Sequence, residues 1–481
     1  MIELIKLITL SQNFKNELEE KGVDNMESFE NGNKLTHEII NDKGLIKERQ
    51  GFVCCNSKGD NSKIRCDADS VSGSVSQRAC VYCGARVVLN PITDAFHIVH
   101  GPIGCASYTW DIRGSLSSGP DTYRNSFSTD LRENDVIFGG EKKLAAAIDE
   151  IVEKYSPKVI FIYSTCIVGV IGDDVEAVCK QAERKHSIRV ISVKSPGFAG
   201  NKSMGYKAAC NALIELMEDN NGEEIDGVNF LGDFNLAGEM WIIQDYLKQM
   251  GINVVAKITG DGRCDEIRNA PKAKFNIVQC AGSMTYLAKN MESLYGIPFI
   301  KVSFFGVEDT KLSLLMIAEA TGNKNIVRKA EELIEKMESE LGNKLDFYRE
   351  KLKGKKAAIY VGGGFKAISL IKQFKDLGME TVMVGTQTGK EDDYEVIRSI
   401  SDEGTIILDD SNPYELEKFI KEKDADILVG GVKERPLAYK LGVGFCDHNH
   451  ERKIPLCGFQ GALNFAKEIH LTVNSPIWDM L

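Results

Sequence analysis

The sequence predicts an α/β fold of three Rossmann-like parallel-sheet domains around a central cleft, preceded by an irregular N-terminal extension. Short β-branched runs alternate with amphipathic stretches, as in KVIFIYSTC before GDDVEAVCKQAERK and then RVISVKS. Such alternation builds parallel sheets with helices on both faces. Runs such as KVIFIY and AAIYV are almost continuously apolar, as strands covered on both faces must be. A third observation places the cleft: four strand ends carry a thiol or a glycine turn, at Cys166, Cys280, the triple glycine Gly362, Gly363 and Gly364, and the pair Gly430 and Gly431. Ligands of open parallel sheets bind beyond the carboxyl ends of strands, so these four ends are expected to face one shared space.

Residues 1–75 are rich in Asn, Asp, Lys and Ser and lose any apolar period after residue 50. They read as an irregular, partly mobile extension with an amphipathic helix near its start. The first domain is expected over 76–225, completed by the C-terminal 455–481. The second spans 226–350 and is built on VNFLGDFN, NVVAKITG and FNIVQCAG. The third spans 351–454, from KAAIYVGGG through GTIILDD to ADILVGG. Between the last two, the charged stretch 323–356 reads as helix with a solvated polar face.

The 481 residues carry 59 Lys+Arg against 70 Asp+Glu, a formal charge of −11, which argues against a protein built to coat nucleic acid or an anionic membrane. The opening MIELIKLITLSQNFKNELEEKG lacks the apolar core and small-residue cleavage site of a secretion signal. No apolar run reaches the roughly 18 residues of a membrane span, so a cytoplasmic protein is expected. In a reducing compartment the 13 cysteines are metal ligands, catalytic groups or small buried hydrophobes more readily than disulfides.

Cys80 and Cys83 form a CxxC that alone fits half a zinc site, a redox pair or two ligands of an iron–sulfur cluster. No second CxxC and no His-x3-His follow, which disfavours a zinc ribbon. Cys105 follows the tight turn GPIG, and Cys166 closes a buried strand. Thiolates from separate loops can converge on iron, although each alone also fits a small core residue. Cys179 and Cys210 fall in helical patterns and read as packing, Cys264 sits at a loop or helix start, and Cys54, Cys55 and Cys66 lie in the extension. Cys446 and Cys457 flank CDHNHERKIPLC, whose His448 and His450 read as part of a polar, hydrogen-bonded loop. His97 and His100 read as hydrogen-bonded core histidines. GGGFKA lacks the spacing of a P-loop or dinucleotide fingerprint but can offer helix N-terminal N–H groups to an anion.

The long segment SQRACVYCGARVVLNPITDAFHIVHGPIGCASYTWDIRGSLSSGP, with YSTCIVGVIGDDVEAV, LGDFNLAGEMW, NIVQCAGSMTYLAKNMESLYGIPF, SFFGVEDT and DHNHERKIPLCGFQGALNFAKE, resembles the nitrogenase molybdenum-iron protein α-subunit superfamily. The resemblance runs over residues 72–481 and is nearer to the cofactor-assembly scaffolds than to the catalytic subunits. It implies that Cys80, Cys105 and Cys166 ligate a 4Fe-4S type cluster shared with a homologous β-type partner, which supplies the fourth ligand. Cys83 matches no ligand position. Cys280 matches the thiolate that holds one end of the iron-molybdenum cofactor or its precursor, and Arg113, Lys202 and Lys433 match polar positions near it. The glycines 362, 363 and 364 would present N–H donors to the same anion.

Two departures from the catalytic pattern stand out. In PLCGFQG, Cys457 stands where those subunits carry an anchoring histidine, and is either a second iron anchor or a packing residue. In PGFAGNKSMGYK, Lys202 and Tyr206 stand where they carry a glutamine and a histidine, allowing one gap. Loss of both histidines implies an assembly scaffold; the alternative is a nitrogenase-like reductase subunit with altered cofactor ligation. The resemblance also implies an α2β2 assembly with a β-type scaffold subunit (NifN-like), a reductase iron protein (NifH-like) that delivers molybdenum and homocitrate, and a radical-SAM maturase (NifB-like) or cluster carrier. No nucleic acid or membrane partner is expected.

Overall fold

The computed structural model describes residues 47–57, 63–66, 79–109, 115–119, 125–217, 222–449 and 452–480. The expected helix near the start of the extension, Arg113 and His450 lie outside them. Among the described residues, fourteen strands form three sheets. After a short first strand, β1 (Val53–Cys55), the first sheet comprises β2 (Ala95–His100), β3 (Ser126–Ser128), β4 (Val159–Ser164) and β5 (Arg189–Lys194), all parallel in the order β3-β2-β4-β5. The second comprises β6 (Ile225–Leu231), β7 (Val254–Ile258), β8 (Ala273–Val278) and β9 (Phe299–Lys301), parallel in the order β7-β6-β8-β9. The third comprises β10 (Lys356–Val361), β11 (Glu380–Thr386), β12 (Ile406–Asp409), β13 (Ile427–Gly430) and β14 (Gly444–Asp447). Its order is β1-β12-β11-β10-β13-β14, parallel except for the antiparallel edge strand β1.

The apolar runs become the central strands. β4 is buried at every position, as is β13, because helices cover both faces. The helix Lys324–Leu341 buries Ala330, Leu333, Ile334 and Leu341 along one stripe and leaves its charged residues to solvent. No helix among the described residues is long and apolar enough to cross a membrane.

Each sheet reverses its winding direction once: between β2 and β4 in the first, β6 and β8 in the second, and β10 and β13 in the third. At such a point the two connections leave for opposite faces and open a crevice beyond the carboxyl ends. The residues that follow these six strands include Cys105, Cys166, Gly232, Cys280, Gly362 and Gly431. The strand-end thiols and glycines therefore sit at topological switch points.

Two expectations are corrected. Residues 53–55 are not irregular: Cys54 stands opposite Ile407, and the Asn56 side-chain amide donates to the Ser401 carbonyl at 2.9 Å. Cys54, Ile64 and Cys66 pack against the core of the third sheet. A three-residue strand shows no period, and it forms on the open edge of β12 with these long-range contacts to hold it. The C-terminal residues 455–481 do not complete the first domain. The helix Gly458–Val473 packs on β13 and β14, and its Phe465, Ala466, Ile469 and Val473 share a core with Ile427, Val429 and Cys446.

Before that helix, the chain is tied to the second sheet by a buried ion pair. Arg452 Nε donates to Glu239 Oε1 at 2.8 Å and Nη2 to Oε2 at 2.5 Å, while the Leu456 N–H donates to the same carboxylate at 3.0 Å. Arg452 Nη1 also holds the His448 carbonyl at 2.7 Å. Removing one partner leaves the other charge buried and unpaired. Arg452→Met is therefore expected to cost about 3–5 kcal/mol, read as a lowered urea midpoint, whereas Arg452→Met with Glu239→Met should recover much of the loss. Equal loss in single and double variants would contradict this.

Candidate functional site

Three thiols converge at the switch point of the first sheet. Cys80 caps the helix Val81–Leu89, Cys105 lies in Ile103–Thr109 beyond β2, and Cys166 opens Cys166–Ile171 beyond β4. The Gly197 N–H donates to Cys166 Sγ at 3.1 Å. A Cβ at Gly197 would stand 2.9 Å from Cys166 Sγ and 3.7 Å from Cys80 Sγ, so the two sulfurs share the space that a side chain would need. Burial raises the Cys105 thiol, and the Cys166 and Cys80 charges raise it further, against a lowering hydrogen bond from Thr165. Cys166 is exposed and the other two are half-buried. Around this open side stand Phe138 (84% exposed), Val170 (73%), Ile137 and Phe198. Helices Glu133–Phe138 and Cys166–Ile171 pack together, and a Cβ on Gly169 would meet the Phe198 ring at 3.0 Å, so these apolar side chains lie on neighbouring segments. Cys83, the other half of the CxxC, is wholly buried in the core.

A second site lies where the other two switch points face each other. A cavity of about 770 Å³, counting its open mouth, is lined by residues following β6, β8 and β10 and by Lys202 and Tyr206 from the helix Lys202–Met217. Cys280 caps the helix Ala281–Tyr295. Gly232 lies against it with φ 93°, where a Cβ would come within 2.7 Å of the Cys280 nitrogen. Only glycine satisfies both the left-handed backbone and that approach. Gly362 and Gly363 line the cavity, but Gly364 packs against Asp393.

The charges around Cys280 are mostly positive. Lys202 is 4% exposed, with its ammonium 5.9 Å over the Tyr206 ring, and Lys366 donates to the His448 carbonyl at 2.9 Å. Glu239 is committed to Arg452. Burial, then the charge of Glu239, raises the Asp233 carboxyl to about 7. A soft thiol ringed by cations and half-neutralised acids suits an anionic, iron-containing ligand, since thiolate prefers soft metals and desolvated cations favour negative charge.

Cys457 is fully buried and is not on the cavity wall. Its Sγ accepts from Gln279 Nε2 at 3.6 Å, and its backbone bridges to Phe305. Burial, then Glu239 and Asp233, pushes its thiol well above the usual range. Its sulfur lies within 4.8 Å of ligand atoms of Asp233 and Glu239, yet the Glu239 oxygens are already taken by Arg452 and Leu456. Lys433 is also off the wall; desolvation, then the Lys202 charge, lowers it, while Cys83, Glu434 and Cys80 act oppositely. His97 pairs with the Tyr163 hydroxyl at 2.9 Å, and His100 with Thr129 and Asp173. Cys179, Cys210, Cys264 and Cys446 are buried.

Sequence reasoning missed Asp233, Gln279, Lys366 and Arg452 as lining residues. A signal existed: each is a polar residue close behind a strand, in LGDFN, VQC, GGGFK and HNHER.

The family model for nitrogenase component 1 type oxidoreductases matches residues 80–474. A Clostridium pasteurianum protein named nitrogenase iron-molybdenum cofactor biosynthesis protein NifE is 71% identical over 448 residues, covering 92% of this chain and 98% of its own length. A Methanosarcina barkeri protein of the same name is 52% identical, covering 90% and 96%. Among solved structures, nitrogenase Cp1 at pH 5 superposes with a TM-score of 0.84 at 32% identity, over 90% of this chain and 96% of that one.

The raised Asp233 carboxyl has a measurable sign. A folded value near 7 against 3.8 means that its contribution is fully present below the unfolded value and is lost as pH rises through about 7. Asp233→Asn should therefore gain stability relative to the parent between pH 5 and 8, read as a shift in urea midpoint. A pH-independent difference would contradict the burial argument.

Proposed function

This chain belongs to the nitrogenase component 1 type oxidoreductase family, and we propose that it is the α-type scaffold subunit on which the iron-molybdenum cofactor precursor is held, matured with molybdenum and homocitrate, and passed on. The near full-length likeness to proteins named for biosynthesis of that cofactor carries the reading. The cargo is an anionic cluster, and the donor set fits it: one accessible thiol, Cys280, with Lys202 and Lys366 on the same wall and the helix N-terminus capped by Gly363. With Cys457 withdrawn into the core, the protein offers the cargo a single thiolate, which favours release.

Cys80, Cys105 and Cys166 would hold a resident iron–sulfur cluster, and the soft, closely grouped sulfurs fit that group. When bound, such a cluster supplies one-electron redox chemistry. The open side of the three thiols and the apolar rim of Phe138, Val170 and Phe198 support a β-type partner that brings the fourth ligand and covers the patch in an α2β2 assembly. The remaining partners would be an iron protein of the reductase type and a radical-SAM maturase or cluster carrier, all in the cytoplasm. Lys433, off the cavity wall and close enough to Lys202 to feel its charge, would contribute positive charge without lining the cargo site.

Cys280→Ala, made in the complex purified anaerobically with its β-type partner, should lose the precursor iron and keep the interface cluster, read by iron counting and electron paramagnetic resonance. Equal precursor loading in that variant would refute the choice of anchor.

A further inference from the structure

The residues lining the Cys280 cavity show where it opens. Asp233, Glu239 and Arg452 are 5%, 1% and 8% exposed, and Cys280 is half-buried. Among the lining residues only Gly282 is exposed, so the mouth lies there, two residues beyond the thiol. Gly282 is the second residue of the helix Ala281–Tyr295, and Gly363 caps the helix Gly364–Asp376. A Cβ built on either glycine would stand 3.9 Å from the same atom, the Thr388 hydroxyl oxygen. That hydroxyl donates to the Gly362 carbonyl at 2.7 Å, which fixes Thr388 to the turn after β10.

Neighbouring glycines lack a side chain for reasons of packing: a Cβ on Gly232 would run into Cys280, and one on Gly364 would meet the Asp393 side chain. Gly282, Gly362 and Gly363 have no such reason. None of them has a positive φ. A Cβ on Gly362 would meet nothing within 4 Å, and the other two would make only ordinary van der Waals contact with Thr388. At Gly282, inside a helix, alanine would even be the more stable residue. Three empty Cβ positions therefore flank one opening, and the chain itself makes no use of the space.

We propose that Gly282 sets the size of what enters this cavity: with no side chain at the mouth, a bulky anionic guest reaches the Cys280 thiol, and a larger residue there excludes it. The size follows from the three empty positions, and the charge from Lys202 and Lys366 on the walls beyond. The inference rests on the scaffold reading only for the identity of the guest. Retention of precursor iron in Cys280→Ala would overturn that reading and leave the entry measurement below untouched.

The test uses the full-length, metal-free chain and two anionic thiol reagents of different size, with Cys280 modification followed by peptide mass spectrometry. With the bulky 5,5′-dithiobis(2-nitrobenzoate), the Cys280 thiolate forms a mixed disulfide and thionitrobenzoate leaves with the electron pair of the broken S–S bond. With the small iodoacetate, an S–C bond forms and iodide leaves. Gly282→Phe should slow the bulky reagent about tenfold and the small one less than about twofold, because exchange rates follow access to the sulfur. Gly282→Ala should stay near the parent rate with both. An unchanged rate with the bulky reagent in Gly282→Phe would overturn the inference, since the guest would then enter elsewhere. Equal slowing of both reagents would also overturn it, because the variant would be acting on the thiol and not on the width of the mouth. Cys446, buried in the third core, reports folding by remaining unmodified; if it reacts in Gly282→Phe, Gly282→Leu is read by the same criteria.

Discussion

Three sheets, parallel but for one edge strand, each reverse their winding once, and among the described residues most of the candidate site groups sit beyond those reversals. A strand pair whose connections leave for opposite faces opens a crevice at its carboxyl end, and nothing else in a covered parallel sheet gives a ligand access to the backbone. In the first sheet the crevice gathers Cys105 and Cys166, with Cys80 brought in by the helix it caps. In the second it sets Cys280 against Gly232, and in the third it presents Gly362 and Gly363. The second and third crevices share one cavity, tied across by the buried Arg452–Glu239 pair.

The electrostatics follow from that placement. Burial at the carboxyl ends makes charge expensive, so the acids there are either paired, as Glu239 is, or raised toward neutrality, as Asp233 is. The lysines and helix N-termini then leave a site whose uncompensated charge is positive. A thiol in such surroundings favours an anionic, sulfur-loving guest, while the first-sheet thiols, open to solvent and rimmed by apolar side chains, would form half of a site in the proposed assembly.

Much of this was legible in the sequence because it is local. The runs that became β4 and β10 were visible as continuous apolar stretches, and Cys166 and Cys280 as thiols at strand ends. What stayed hidden depends on long-range packing. Three residues cannot show a period, so β1 was invisible until β12 offered its edge. The stripe of Phe465, Ala466, Ile469 and Val473 says which face of the last helix is buried but not which sheet buries it. Cys457 has the sequence neighbours of a ligand, yet its sulfur turns into the core beside Gln279, and no spacing rule reports that direction. Asp233 and Arg452 are buried, and Arg452 is held by Glu239, more than 200 residues away, a contact that no local pattern reports.

In the proposed scaffold role the cavity holds cargo by one thiolate and releases it, while the first-sheet thiols keep their cluster. Its most direct test is iron counting with electron paramagnetic resonance on the anaerobic complex with the β-type partner, before and after mixing with cofactor-free catalytic protein. The cavity iron should leave and the interface signal should stay, with no substantial acetylene reduction by the complex itself when given iron protein and ATP. Iron that stays in the cavity, with robust acetylene turnover by this complex, would contradict it.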